Sequence, residues 1–140
     1  MFEEDVGTAI RSFYKGLITG DLKKLVSYCK KDAIFEWASF TFKGKEEIKQ
    51  WAKEFKQIFP KVRIIDIKFT VHEKQPIKVI HEFVIDVTMS NGRRGMLPAK
   101  GIYDLKDGII QHVSITLSPG FMIFSKEEII RLGVYKQRAR

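Results

Sequence analysis

Glu82 and Asp86, two carboxylates four residues apart in one extended segment, come closest in this 140-residue chain to a pairing that could do acid–base chemistry. On a strand, such residues share a face and stand about 13 Å apart. That is too far to share a proton, so each would act alone. An Asp86 turned into an apolar interior would have a raised pKa and could serve as a base near neutral pH. Paired with a cross-strand lysine, it would be an ordinary structural acid. Three histidines, His72, His81 and His112, fall on three different expected strands. Converging imidazoles can bind zinc, but these have no local spacing pattern, and strand parity does not force them onto one face. No metal and no cofactor is expected. Cys29 alone can form neither an internal disulfide nor a zinc site, and it reads as a small core residue. Tyr14, Tyr28 and Tyr103 could each bring a hydroxyl to the rim of a cavity. The run Asn91-Gly92-Arg93-Arg94-Gly95 is a hairpin tip and not a phosphate loop, since no helix follows it.

The elements that would position these groups follow from periodicity. Phe2, Val6, Ala9, Ile10, Phe13 and Leu17 recur at three- and four-residue spacings, one stripe of an amphipathic helix. Gly20 closes it in the left-handed conformation. Asp21 caps a second helix carrying Leu22, Leu25, Val26 and Cys29 inward. Ala33 to Trp37 and Phe40 to Phe42 read as a short hairpin. Ile48, Trp51, Ala52, Phe55, Ile58 and Phe59 form one face of a third helix, with Glu46 and Glu47 in its first turn and Pro60 after it. Four long strands follow, at 62–73, 77–90, 96–105 and 109–117. The second ends at Asn91-Gly92 and the third at Lys106-Asp107-Gly108, both hairpin signals. Ser125-Lys126-Glu127-Glu128 is a capping box opening a short helix that ends near Gly133. Helices at one end of the chain and strands at the other predict an α+β domain, a long twisted sheet curled around helices on one face. One domain is expected over 1–140, its core at 1–119 and a carboxyl-terminal extension at 120–140.

Composition bounds the class. Apolar residues make up 44% and charged residues 30%, with 11 Phe, which suits a chain that folds on its own. No apolar stretch approaches the roughly 20 residues that span a bilayer, and the acidic start Phe2-Glu3-Glu4-Asp5 is unlike a secretory leader. A cytoplasmic protein without a membrane partner is expected. The net charge is +8. Its cations look scattered among acids, with small clusters at Arg93-Arg94 and in the tail Lys136-Gln137-Arg138-Ala139-Arg140. A solvated basic surface is therefore expected before a nucleic-acid partner. A single Asn, a single Cys and abundant Ile, Lys and Glu lean towards a heat-adapted source.

Phe13-Tyr14-Lys15-Gly16-Leu17, Gly20-Asp21-Leu22, Tyr28, Asp32-Ala33-Ile34-Phe35 and Gly44-Lys45-Glu46-Glu47-Ile48 carry a resemblance. With the turn Lys106-Asp107-Gly108-Ile109-Ile110, they make the chain similar to nuclear transport factor 2-like proteins, nearest the SnoaL-like and ketosteroid-isomerase-like branch. The resemblance implies a cone-shaped, mostly antiparallel sheet wrapped on the amino-terminal helices. It fixes little about activity, because this fold hosts many chemistries. The isomerase machinery, an aspartate base with a tyrosine and a protonated aspartate as oxyanion donors, aligns with Trp37, Phe13 and Gly101 (Lys100 if the turn is counted from the other side), so none of the three groups is present. The epoxide hydrolases of the fold use two aspartates and an arginine. Asp86 matches one aspartate, while Val84 and Ser118 stand at the other two positions. The cyclases need an acid near the end of the last strand, where Thr116-Leu117-Ser118 supplies none.

On strand 77–90, one face carries Val79, His81, Phe83, Ile85, Val87 and Met89, and the other carries Ile80, Glu82, Val84, Asp86 and Thr88. Burial logic turns the first set inward, whereas the register implied by the resemblance turns the second set into the cavity. That register is preferred here and makes Asp86 the candidate catalytic acid. Phe13, Tyr14, Trp37, Glu82 and Tyr103 are the candidate ligand-binding residues, while Glu36 points away from the cavity; a shift of one residue would reverse this and make Glu36 the base. The expected function is to hold a small, mainly apolar molecule in the cone, with any lyase, isomerase or hydrolase chemistry resting on a lone acid. The alternative is a non-catalytic binding or interaction module whose cavity is filled by its own side chains. In either case a homodimer packed through the outer sheet face is expected, because strands apolar on both sides need cover.

Overall fold

The computed structural model of the protein describes residues 2–72 and 77–118, with side chains from Gly7 onward. The turn around Pro76 and the helix expected from Ser125 to Gly133 lie outside the described residues. Helix α1, Phe2–Thr19, is followed by the single turn α2, Leu22–Leu25. Gly20 makes the bend at φ +78°, and the Asp21 carboxylate accepts from the Lys24 N–H as the cap of α2. Gly16 lets the two helices touch, since a Cβ there would come within 2.4 Å of the Leu25 backbone. Helix α2 is shorter than the apolar spacing suggests: it stops at Leu25, and Cys29 already opens strand β1, Cys29–Trp37. Strand β2 is Phe40–Lys43, α3 is Gly44–Ile58, β3 is Lys61–His72, β4 is Ile77–Thr88, β5 is Arg94–Lys106 and β6 is Ile109–Leu117. Among the described residues, no helix is long and apolar enough to cross a membrane.

The six strands form one curved, unclosed sheet in the order β2-β1-β6-β5-β4-β3. Every pairing is antiparallel except β1 with β6. Positive φ at Asp107 and Gly108 supplies the tight β5–β6 turn that Lys106-Asp107-Gly108 announced. Helices α1 and α3 cover one face of the sheet, which makes the fold the α+β cone expected.

That inner face is built almost entirely of large side chains. Phe13 and Tyr14 of α1, Phe35 and Trp37 of β1, Trp51 and Phe55 of α3, Phe59, Phe83 and Tyr103 are all buried. Strand β4 alternates except at Asp86: Val79, His81, Phe83, Ile85 and Val87 are buried on the helix side, while on the other face Glu82 is exposed and Asp86 is buried. The preferred register of the sequence reading is therefore corrected. Five apolar or stacked side chains at period two outweigh two carboxylates, and β4 turns the residues inward that burial logic selects.

Strand β3 departs from simple alternation at one place. Val62, Ile64 and Asp66 pair with Val87, Ile85 and Phe83, but the next pairs are Lys68 with Glu82 and Phe69 with His81. Ile67 is the extra residue of a bulge. Without it, Asp66 and Phe69, three residues apart, would lie on opposite faces. With it, both flank His81 on the inner face.

Candidate active site

His81 is the polar centre of an otherwise apolar interior. Its ring, wholly buried, is stacked between Phe69 at 3.9 Å and Phe83 at 4.5 Å. Its Nε2 lies 2.8 Å from Asp66 Oδ1 and its Nδ1 lies 2.8 Å from the Tyr14 hydroxyl. Tyr14 in turn meets the Tyr103 hydroxyl. The Tyr103 ring reaches that point by leaning over Gly101, where a Cβ would stand only 3.0 Å from it. Gly101 is also the cross-strand partner of His81, so the missing side chain leaves room for both rings.

One hydrogen arrangement satisfies every member of this file. The neutral imidazole donates from Nε2 to the Asp66 carboxylate and accepts at Nδ1 from the Tyr14 O–H, and Tyr14 accepts from the Tyr103 O–H. Burial pushes the His81 pKa down, only partly opposed by Asp66, which holds the imidazole neutral. Burial also pushes both tyrosines up, so they stay protonated through the physiological range. A proton delivered to Tyr14 from outside can pass on to His81 Nδ1, leaving an imidazolium that Asp66 neutralises.

The file has an open end. Tyr14 and Asp66 line a cleft of about 410 Å³ between α1 and β3, whose other walls include Ile10, Ile18, Ile64 and Phe69. That volume lies within the range of small-molecule sites.

The structure sorts the residues expected from sequence. Phe13 and Tyr14 both lie on the core side of α1, and Tyr14 reaches the cleft. Tyr103 is wholly buried and meets Tyr14 from within, a correction to its expected place at the rim. Trp37 is on the inner face as expected, but its indole is packed on Trp51 at 5.2 Å and Phe55 at 5.6 Å and does not line the cleft. Among the described residues, the buried Trp37 and Trp51 N–H groups find no hydrogen-bond partner. Glu36 points outward, 3.3 Å from His112. The three histidines are dispersed, with His72 exposed and His112 on the outer face, and no group of three metal-binding side chains forms among the described residues. Burial pushes the Cys29 thiol up to about 11, which keeps it protonated and unreactive.

Glu82 and Asp86 sit on the face away from the cleft, and Asp86 is not a poised base. Its Oδ2 accepts from Arg63 Nε at 3.2 Å and Nη2 at 2.7 Å, and from Arg94 Nη2 at 2.9 Å. Those bonds, Arg63 first, hold its carboxyl below the ordinary range despite its burial. The expectation of a raised pKa is therefore reversed. Sequence reasoning missed Asp66, because only the bulge at Ile67 brings it beside His81. It found His81 but weighed it as a metal ligand.

Comparison with known proteins accords with this fold. The sequence profile of the SnoaL-like domain family matches residues 10–113. Comparison with the curated proteins finds no match. Among solved structures, the chain is similar to a Mycobacterium tuberculosis protein in complex with estradiol-17β-hemisuccinate, at TM-score 0.73 and 12% identity over 86% of this chain and 98% of that one. It is similar to a nuclear transport factor 2-like protein of unknown function from Burkholderia pseudomallei, at TM-score 0.72 and 16% identity over 91% and 96%. An LEH-like epoxide hydrolase of M. tuberculosis matches at TM-score 0.70 and 14% identity over 92% and 91%. At these identities the likeness is one of fold.

Proposed function

The chain belongs to the SnoaL-like domain family, and we propose that it holds a small, mainly apolar molecule in the cleft between α1 and β3. A hydroxyl or enol end of that molecule rests on Tyr14. The observation that carries this reading is the file Asp66–His81–Tyr14–Tyr103 ending at the floor of an apolar cleft. Tyr14 keeps one lone pair for a ligand donor. A ligand hydroxyl hydrogen-bonded there gives its proton to the Tyr14 oxygen as the Tyr14 proton moves to His81, so acid–base work falls to His81 rather than to a lone acid. The steroid ester bound by the M. tuberculosis relative supports the ligand class.

One observation favours a second reading, a non-catalytic module. The interior around Trp37 is filled by the side chains of Trp51 and Phe55. In either reading two copies pack through the outer sheet face, where Ile65, Ile80, Val84 and Ile102 lie on the side of the sheet opposite to α1 and α3.

Calorimetric titration with estradiol-17β-hemisuccinate, beside native mass spectrometry of freshly purified protein, separates the two readings. Saturable binding that Ile64→Trp blocks and Tyr14→Phe weakens is the expected result. No heat and a bare mass would leave the non-catalytic module.

A further inference from the structure

Four cations that seem dispersed in the sequence meet in one groove. Arg11 and Lys15 stand one turn apart on α1, and Lys23 and Lys24 occupy α2. The bend at Gly20, with α2 pressed against Gly16, folds the second pair back beside the first. Between them lies a groove of about 790 Å³, the size of a small-ligand site. Four positive charges face one carboxylate there, and that carboxylate, Asp21, is engaged in capping α2. Among the described residues none of the four cations makes an ion pair. The hydroxyls of Ser12 and Ser27, 3.3 Å apart, also line the groove, with Ser12 buried. Tyr28, one of the large side chains left open to solvent, also lines it.

We propose that this groove binds a nucleoside di- or triphosphate, its phosphates over Arg11, Lys15, Lys23 and Lys24 and its base against the Tyr28 ring. The number of unpaired cations decides the class. A single carboxylate would leave most of them uncompensated, whereas a triphosphate carries several negative charges and many acceptor oxygens. The Ser12 and Ser27 hydroxyls both donate to the Lys24 carbonyl and so tie α2 to α1, while the solvent-facing Tyr28 ring suits a planar base. Arg11 and Lys15 also border the cleft that Tyr14 lines, so the two sites adjoin along α1. Lys23 and Lys24 belong to the groove alone.

Calorimetric titration of the full chain with ATP, inorganic triphosphate and adenosine, at low and at physiological salt, tests this. ATP and triphosphate should bind at one site with affinity that falls as salt rises, and adenosine should give no heat. Lys23→Glu with Lys24→Glu should weaken ATP roughly tenfold or more. Lys53→Glu with Lys106→Glu, an equal change of net charge outside the groove, should leave it unchanged. All four lysines are exposed, and circular dichroism verifies that the fold is kept. Tyr28→Ala should bring ATP down to the affinity of triphosphate. No ATP binding, equal weakening by the two double variants, or binding of a single-stranded oligonucleotide without ATP would each overturn the proposal. An unchanged ATP affinity in Tyr28→Ala would overturn the base contact.

Discussion

The Nδ1 of His81 lies 2.8 Å from the Tyr14 hydroxyl, in a ring stacked between Phe69 and Phe83 and therefore kept from water. Folding thus favours the neutral imidazole, and the folded pKa lies below the ordinary value of 6.5. Above that value neither state binds the proton, and the full contribution to stability is present. As pH falls below it, the unfolded chain takes up a proton that the folded chain resists. Stability then declines until the lower folded pKa is passed, and levels off. Urea midpoints measured from pH 8 down to pH 5, within about the ordinary histidine range, should fall. His81→Gln, which keeps an acceptor for Tyr14 and a donor for Asp66, should remove that part of the slope. A slope identical in the variant would mean that the His81 pKa does not change on folding.

Asp86 acts in a different window. Its folded pKa is lowered, so its contribution is complete above the ordinary value of 3.8 and is lost only as pH falls through the folded value. Asp86→Asn removes the charge on which Arg63 and Arg94 converge. Because the carboxylate is only 5% exposed, the cost should be about 1.5–3 kcal/mol, the range for hydrogen bonds to charged groups. Arg63→Met and Arg94→Met should each cost less, since both guanidiniums are largely in water and either one can hold the pair. Ligand binding in the cleft should not change. A cleft affinity that collapses in Asp86→Asn, with the fold intact, would return Asp86 to the site.

Much of the scaffold was legible because it rests on local periodicity. The apolar stripes of α1 and α3, the cap at Asp21 and the turns at Asn91-Gly92 and Asp107-Gly108 are decided within a few residues. The site was harder to read. Tyr14 and Tyr103 emerged from the sequence, but their meeting depends on the space above Gly101, a contact between distant strands and α1. Asp66 reaches His81 only through a single-residue bulge, and nothing in Asp66-Ile67-Lys68-Phe69 marks where alternation slips. On β4 the alternation itself was clear, and the error came from preferring the register implied by resemblance over burial. The four-cation groove was invisible for a third reason: charges that alternate with acids along the chain are gathered only when α2 folds back on α1.

That fold-back depends on Gly16. An added methyl would stand 2.4 Å from both the Leu25 Cα and N, backbone atoms that cannot swing aside. Alanine recovers up to about 1 kcal/mol of helix propensity, but overpacking of this kind costs about 1–3 kcal/mol. Gly16→Ala should therefore lower the denaturation midpoint. If the groove binds phosphates as proposed, it should also weaken ATP by moving Lys23 and Lys24 away from Arg11 and Lys15. A variant more stable than the wild type would show that α2 yields at no cost.

The outer sheet face gives the last prediction. Ile65, Val84 and Pro98 form one row across three strands, and Ile80 and Ile102 form another. Glu82 and Lys100 pair across β4 and β5 between the two rows, and Ile67 lies 64% exposed at the β3 bulge. A face this apolar is unusual on a lone domain, and an interface that repeats the same patch on both copies would cover it. Analytical ultracentrifugation should give a dimer. Ile102→Asp, which places an unpaired carboxylate in the middle of the patch, should give a folded monomer with unchanged far-ultraviolet circular dichroism. A wild-type protein that sediments as a monomer at working concentration would remove the outer face as an interface and leave its isoleucines to some other partner.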